Sequence, residues 1–206
     1  MLQLLAAVQA SGSISQAGRE LGLSYRHAWG LLQQAEALLG QPLLVRGRGR
    51  GSALTELGDK LKARGWMLAT AESCTGGWVG QLVTALPGSS SWYERGFITY
   101  ANDAKIEMLG VPAATLASHG AVSEETASAM ASGALANSHA QATLAISGIA
   151  GPGGGTPQKP VGLVCYGWAL ADGTLISSTC RLGGNRDEIR SRAVAASLRG
   201  LIDLLG

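Results

Sequence analysis

Several absences narrow this sequence before any motif is read. It contains no run of about 18 apolar residues, so no segment is expected to span a bilayer. Met1 to Ala10 is apolar but has neither the basic start nor the cleavage site of a secretory signal. Cys74, Cys165 and Cys180 leave an odd count and form no C-x-x-C pair, which argues against a disulfide framework and against a zinc site. A cytoplasmic chain with reduced thiols and no membrane partner is expected. His27, His119 and His139 are scattered without paired acidic ligands, so neither a metal nor a cofactor is expected. Aromatics are few, with Phe present once, whereas glycine occurs 30 times, a sign of many close backbone approaches. Only 15% of residues are charged and 46% are hydrophobic, which excludes a disordered chain and fits 206 residues folded as one large domain or two small ones.

The small net charge of +2 hides an asymmetry. Residues 1–65 carry eight Lys/Arg against four Asp/Glu, and residues 66–206 carry eight against ten. A basic front and a mildly acidic body imply two jobs. In the front, Leu2, Leu4, Leu5 and Val8 are spaced for one helix face. Gly12-Ser13-Ile14-Ser15 then opens a second helix, Gln16 to Leu21, and Gly22-Leu23 makes a short turn. Ser24 caps a third helix running from Tyr25 to about Leu39. That is helix-turn-helix spacing, with Ser24, Tyr25, Arg26 and His27 in the first turn of the helix that would meet bases and phosphates. A strand candidate, Pro42 to Arg46, leads into Gly47-Arg48-Gly49-Arg50-Gly51, a Gly/Arg hairpin able to place Arg46, Arg48 and Arg50 against phosphate. A helical interaction module with a flexible basic loop is the other reading.

The body is organised around LATAESCTGGW, residues 68–78. An apolar run, Trp66 to Ala71, reads as a buried strand, and Gly76-Gly77-Trp78-Val79 reads as the opening of a helix. Glu72, Ser73, Cys74 and Thr75 fall in the turn between them. A strand-to-helix turn aims side chains at the C-terminal edge of a sheet, where open α/β sheets bind ligands. The following glycines and helix N-terminus favour developing negative charge. A serine cap before an ordinary helix is the alternative. Downstream, Glu94 to Tyr100 reads as a strand and Ala101-Asn102-Asp103 caps a helix carrying Lys105. Val111 to Gly120 reads as irregular, and Ser123 caps a helix to about Asn137. The strand Ala142 to Ser147 enters GIAGPGGGTPQKP (148–160), either a backbone cradle for phosphate or a mobile loop; it spells neither G-x-G-x-x-G nor the Walker sequence. Val161 to Leu170 and Thr174 to Leu182 read as an antiparallel pair. Arg186 then stands at the edge of a final helix, Asp187 to Leu205, where a phosphate or carboxylate would be welcome.

Two family resemblances draw these features together. The segment 12–61, with S-Y-R-x-A-W, L-G-x-P-L-L-x-R and L-T-x-x-G in order, resembles the winged helix-turn-helix of ModE and LysR-type regulators. No molybdate-binding domain follows it, so that ligand is not implied. From about Leu57 to the end, AESCTGGWVGQLVT, PGSSSWYERGFITYANDAK, HGAVSEETA, ISGIAGPGGG and KPVG resemble the C-terminal domain family of CinA, whose stand-alone members are nicotinamide-nucleotide amidohydrolases. The expected fold class is therefore α/β: a winged helix-turn-helix over residues 1–60, then an α/β/α layered amidase domain over 61–206, with a helix at about 53–64 shared between them. One departure stands out, because the family's usual G-D-R reads Gly184-Asn185-Arg186 here. An amide in place of a carboxylate bears on substrate binding or on the orientation of Arg186.

What the second resemblance implies is hydrolysis of the carboxamide of nicotinamide mononucleotide to nicotinic acid mononucleotide and ammonia. Amide hydrolysis needs a nucleophile, a base and donors for the oxyanion. With no metal cluster legible, a serine with a lysine base is the natural class. The assignment is Ser73 as nucleophile, Lys105 as base and Tyr100 as proton relay, with Ser90 as the rival nucleophile. Thr75, Gly76 and Gly77 are assigned as donors, and Arg186 with Gly151, Gly153 and Gly154 as the phosphate site. Cys74 is read as a packed thiol. Two functions follow: an amidase carrying a DNA-binding domain, or a regulator of duplex DNA whose amidase fold senses a pyridine nucleotide. Either is expected to act as a homodimer or higher homo-oligomer, as winged regulators bind paired half-sites.

Overall fold

The computed structural model describes residues 2–11, 14–24, 26–32 and 53–206. Three helices come first: α1 (Leu2–Ser11), α2 (Ile14–Glu20) and α3 (26–32). They close a small core of Leu4, Val8, Ala17, Ala28 and Leu32. The turn between α2 and α3 holds Gly22 at φ 67°, and Leu23 N–H returns to the Gly18 carbonyl at 2.7 Å. Ser24 caps α3, its Oγ accepting from His27 N–H. The strand and hairpin expected over 42–51 lie outside the described residues, as do Tyr25, Arg46, Arg48 and Arg50.

The body opens with α4 (Ala53–Arg64) and continues as β1 (Leu68–Glu72), α5 (Trp78–Thr84), a 3-10 turn (Ser89–Ser91) and β2 (Tyr93–Ile98). Then come α6 (Asn102–Leu109), α7 (Ala113–His119), α8 (Glu124–Ala136), β3 (Ala142–Gly148), β4 (Leu163–Leu170), β5 (Leu175–Arg181) and α9 (Arg186–Leu204). The strands form one sheet in the order β2-β1-β3-β4-β5. β1 is parallel to β2 and to β3, whereas β3–β4 and β4–β5 are antiparallel. The segment 111–120, expected to be irregular, contains α7, a seven-residue helix entered from Pro112 and closed by Gly120. Pro112 suits the start of a helix, where its missing N–H costs nothing.

Strand alternation builds two unequal faces. Leu144, Ile146, Val164, Tyr166, Trp168 and Leu170 point to a face covered by α4, α5 and α9. Ala69, Ala71, Ala145 and Ala169 point to the other, covered by α6 and α8. Large side chains hold the first helices off the sheet, and small ones let α8 come close. A Cβ on Gly167 would lie 2.3 Å from the Ala127 carbonyl oxygen. The result is a three-layer α/β/α domain around a mixed sheet. Within it α4 is core: Leu57 and Leu61 are fully buried, Gly58 lies against the Trp92 ring, and Lys60 and Arg64 donate to the carbonyls of Gly206 and Leu205.

Candidate active site

The chain passes from β1 to β2 on one side and reaches β3 on the other, so the C-terminal end of β1 is the point at which strand order reverses. Open α/β sheets form their ligand crevices at such points. Ser73 follows β1 directly. A cavity of about 200 Å³ opens there, lined by Ser73, Cys74, Tyr100 and Lys105, by Ala121 and Val122, by Ser147, Gly148 and Ala150, and by Arg186.

The turn is fixed from inside. Ser73 N–H donates to the Ile146 carbonyl, extending the β1–β3 ladder by one bond. Glu72, 1% exposed, folds back under the turn and accepts from the N–H groups of Gly77 (3.0 Å), Val79 (3.1 Å) and Gly80 (3.1 Å). One carboxylate thereby caps α5 and closes the turn, the charge arrangement a helix N-terminus favours. This corrects the expectation that Gly76 and Gly77 offer free N–H donors. Gly77 N–H is bonded to Glu72, and Gly76 N–H to the Ser73 carbonyl at 3.1 Å. The glycines are needed for shape instead, with φ of 62° and 92°. Thr75 is fully buried, and its hydroxyl has no hydrogen-bond partner among the described residues and does not line the cavity.

Lys105 enters from the other side. It lies in α6, is 1% exposed, and brings Nζ to 3.1 Å from Ser73 Oγ, 2.8 Å from the Thr99 carbonyl and 3.3 Å from the Tyr100 carbonyl. Burial pushes its pKa below the ordinary lysine value; a charge on Cys74 would pull weakly the other way. That thiol is uncharged at neutral pH, since burial pushes it up to about 11. In its neutral form the amine has two hydrogens for the two carbonyls and one lone pair for the serine hydroxyl. This is the arrangement a general base requires.

The remaining expected residues divide. Tyr100 lines the cavity, gives its carbonyl to Lys105 and is 67% exposed. Arg186 lines the cavity and donates to the Gly151 carbonyl at 2.8 Å, so the glycine loop and the start of α9 meet at the rim. Gly153 and Gly154 are exposed on that loop and do not line the cavity. Ser90 belongs to the 3-10 turn before β2, at the N-terminal edge of the sheet and about a strand's length from Lys105. That position removes it from reach of the Lys105 amine. Asn185 is the N-cap of α9: its Oδ1 accepts from the N–H groups of Asp187 and Glu188, and Glu188 accepts from Asn185 N–H. An amide oxygen fills that role as well as a carboxylate does, which accounts for Asn in place of the family's Asp.

Three contributors were not anticipated. Ser147, 1% exposed, donates to the Ala121 carbonyl at 2.6 Å and sets one wall. Lys159 ties the glycine loop to the same wall through the carbonyls of His119 and Val122. Arg190 donates to the carbonyls of Cys74 and Thr75. For Arg190 a signal existed, since it falls one helical turn after Arg186 on the same face. Among the described residues, no group of three or more His, Cys, Asp or Glu side chains is placed to hold a metal ion, and no helix is long and apolar enough to cross a membrane.

A three-layer α/β/α domain with a buried hydroxyl–amine pair at the switch point of its sheet is thus the class of protein present. The chain belongs to the CinA C-terminal domain family, whose model matches residues 51–205. It is 51% identical over 146 residues to the nicotinamide-nucleotide amidohydrolase PncC of Escherichia coli strain K12, covering 71% of this chain and 88% of that protein. It is 45% identical over 151 residues to the Pseudomonas putida protein of the same name, covering 73% and 93%. Among solved structures, the competence/damage inducible protein CihA from Agrobacterium tumefaciens superposes with a TM-score of 0.70 at 45% identity, covering 74% of this chain and 96% of that one. A second model, for bacterial regulatory helix-turn-helix proteins of the lysR family, matches residues 1–59.

Proposed function

We propose that residues 61–206, with α4 as their first helix, hydrolyse the carboxamide of nicotinamide mononucleotide to nicotinic acid mononucleotide and ammonia. The observation that carries this reading is the contact between Lys105 Nζ and Ser73 Oγ, 3.1 Å long and buried at the cavity floor. Relatives bearing the name nicotinamide-nucleotide amidohydrolase supply the substrate. Neutral Lys105 takes the Ser73 proton as Oγ attacks the carboxamide carbon. The same proton then leaves on the departing nitrogen, giving ammonia and an ester on Ser73. Water, deprotonated by Lys105, cleaves the ester and restores the serine. Tyr100, at the mouth, passes protons between Lys105 and solvent. Arg186 and the glycine loop take the phosphate, a pairing of guanidinium and oxyanion with directional hydrogen bonds. Purified protein incubated with the nucleotide and EDTA should release nicotinic acid mononucleotide and ammonia in equal amounts. Release that stops with EDTA and returns with zinc would overturn the serine–lysine chemistry.

Residues 1–60 support a second activity, binding of duplex DNA as half of a symmetric pair. The lysR-family match, the α2–turn–α3 geometry and the exposure of Ser24, Arg26 and His27 at the start of α3 favour it. Tyr25 and the arginines Arg46, Arg48 and Arg50 complete the proposed surface. On this reading the whole chain is a DNA-binding amidase, and α4 is common to both parts. Titration of labelled duplex should show binding whose affinity falls steeply with salt, and removal of Arg48 and Arg50 together should flatten that slope by about two charges. Absence of binding to any duplex would remove this activity and leave the amidase reading standing.

A further inference from the structure

Ser73 is held at Lys105 by backbone contacts, and all but one set of them come from neighbours in the sheet or from the turn itself. Its N–H reaches β3, its carbonyl accepts from Gly76, and Glu72 gathers the N–H groups of Gly77, Val79 and Gly80. The exception arrives from 116 positions away. Arg190 donates Nε to the Cys74 carbonyl at 3.0 Å and Nη2 to the Thr75 carbonyl at 2.9 Å. Its guanidinium carbon lies 5.0 Å from the centre of the Trp78 ring, and Nη1 stands 3.6 Å from Asp187. Those two carbonyls belong to the two residues directly after the serine. A planar fork stacked on a ring fixes both at once, which a lysine tip cannot do.

We propose that Arg190 is a positioning residue for the reaction: it clamps the carbonyl side of the nucleophile turn, opposite Glu72 on the N–H side, and so sets the Ser73–Lys105 distance. Each of these contacts is made between groups of the protein itself. Arg190 and Arg186 thereby divide the start of α9 between two loops. Arg186 ties down the glycine loop through Gly151, and Arg190 ties down the serine turn. Loss of the clamp therefore lowers kcat and leaves KM in place, because misplacement of a reacting atom by about 1 Å costs up to about a hundredfold in rate.

The inference rests on the amidase reading for its kinetic arm and on Ser73 alone for its chemical arm. Full-length Arg190→Lys, Arg190→Ala and Leu198→Ala proteins are compared with wild type by ammonia release from nicotinamide mononucleotide, by melting temperature and by the labelling rate of Ser73 with a fluorophosphonate. Both Arg190 variants should lose about tenfold or more in kcat with KM within about twofold, and labelling should slow in parallel. Leu198→Ala, which opens the α9 core away from the turn, should lower the melting temperature and keep kcat within about twofold of wild type. Rescue of kcat by Arg190→Lys would make the charge and not the fork responsible and would overturn the proposal. So would a rise in KM without loss of kcat, or an equal loss of kcat in Leu198→Ala. If wild type releases no ammonia the substrate reading fails, and the labelling rates still decide the role of Arg190. A wild-type Ser73 that does not label leaves no activated serine to position and overturns the proposal as well.

Discussion

A lysine side chain 1% exposed, with no carboxylate against it among the described residues, is unusual enough to require an explanation. Its three neighbours are two carbonyls and a hydroxyl, which a neutral amine satisfies completely, and burial lowers its pKa toward that form. Two consequences follow from the sign of the shift. The rate of amide hydrolysis should rise with pH through the lowered pKa of Lys105 and then level off; a pH–rate profile that falls as pH rises through that region would contradict the base assignment. Stability should move in the same direction. Between the lowered folded value and the ordinary lysine value the unfolded chain holds the extra proton, so stability rises with pH, and below the folded value the cost of the buried ammonium is fully present. Urea titrations across pH should show this slope in wild type and its loss in Lys105→Met. Cys74 behaves oppositely, since burial that raises its thiol to about 11 keeps it protonated and unreactive beside the serine.

The elements carrying these residues follow from local sequence, and their junctions do not. The strand–turn–helix at 68–84, the helix of Lys105, the Ser123 cap and the β4–β5 pair are legible because apolar runs and capping residues act over a few positions. Ser123 Oγ does accept from Thr126 N–H. The roles of Ser147, Lys159 and Arg190 are not legible in this way, because each is defined by a partner on another element, up to 116 positions distant. Asn185 shows the same divide: the departure from the family pattern is plain in the sequence, and its consequence emerges only once the residue is seen to be a helix cap. Asn185→Asp should therefore leave kcat within about twofold, whereas Asn185→Ala should cost about 1 kcal/mol of stability in a denaturant titration. Helix packing is equally exacting at α8. A Cβ on Gly133 would stand 1.9 Å from the Leu109 carbonyl oxygen, so Gly133→Ala must push α6 away. It should lose about 1–3 kcal/mol, read as a lowered denaturation midpoint.

At the scale of the whole molecule, one helix has two allegiances. The two family matches overlap over residues 51–59, most of them in α4, and α4 is fastened to the end of α9 through Lys60 and Arg64. The far end of α9 carries Arg186, which lines the cavity, and Arg190, which holds the serine turn. The helix that ends the segment matched by the lysR-family model is thus seated in the same core as α5 and α9, and the net +4 of residues 1–65 is set against a body of opposite sign. All of this rests on the chemistry of that pair. Ammonia release from nicotinamide mononucleotide by wild type, Ser73→Ala, Lys105→Met and the double variant tests it most directly. The account predicts turnover by wild type alone, with the double variant no worse than either single one, because members of one catalytic unit fail together. Turnover by Ser73→Ala at the wild-type rate, or none by wild type, would contradict it.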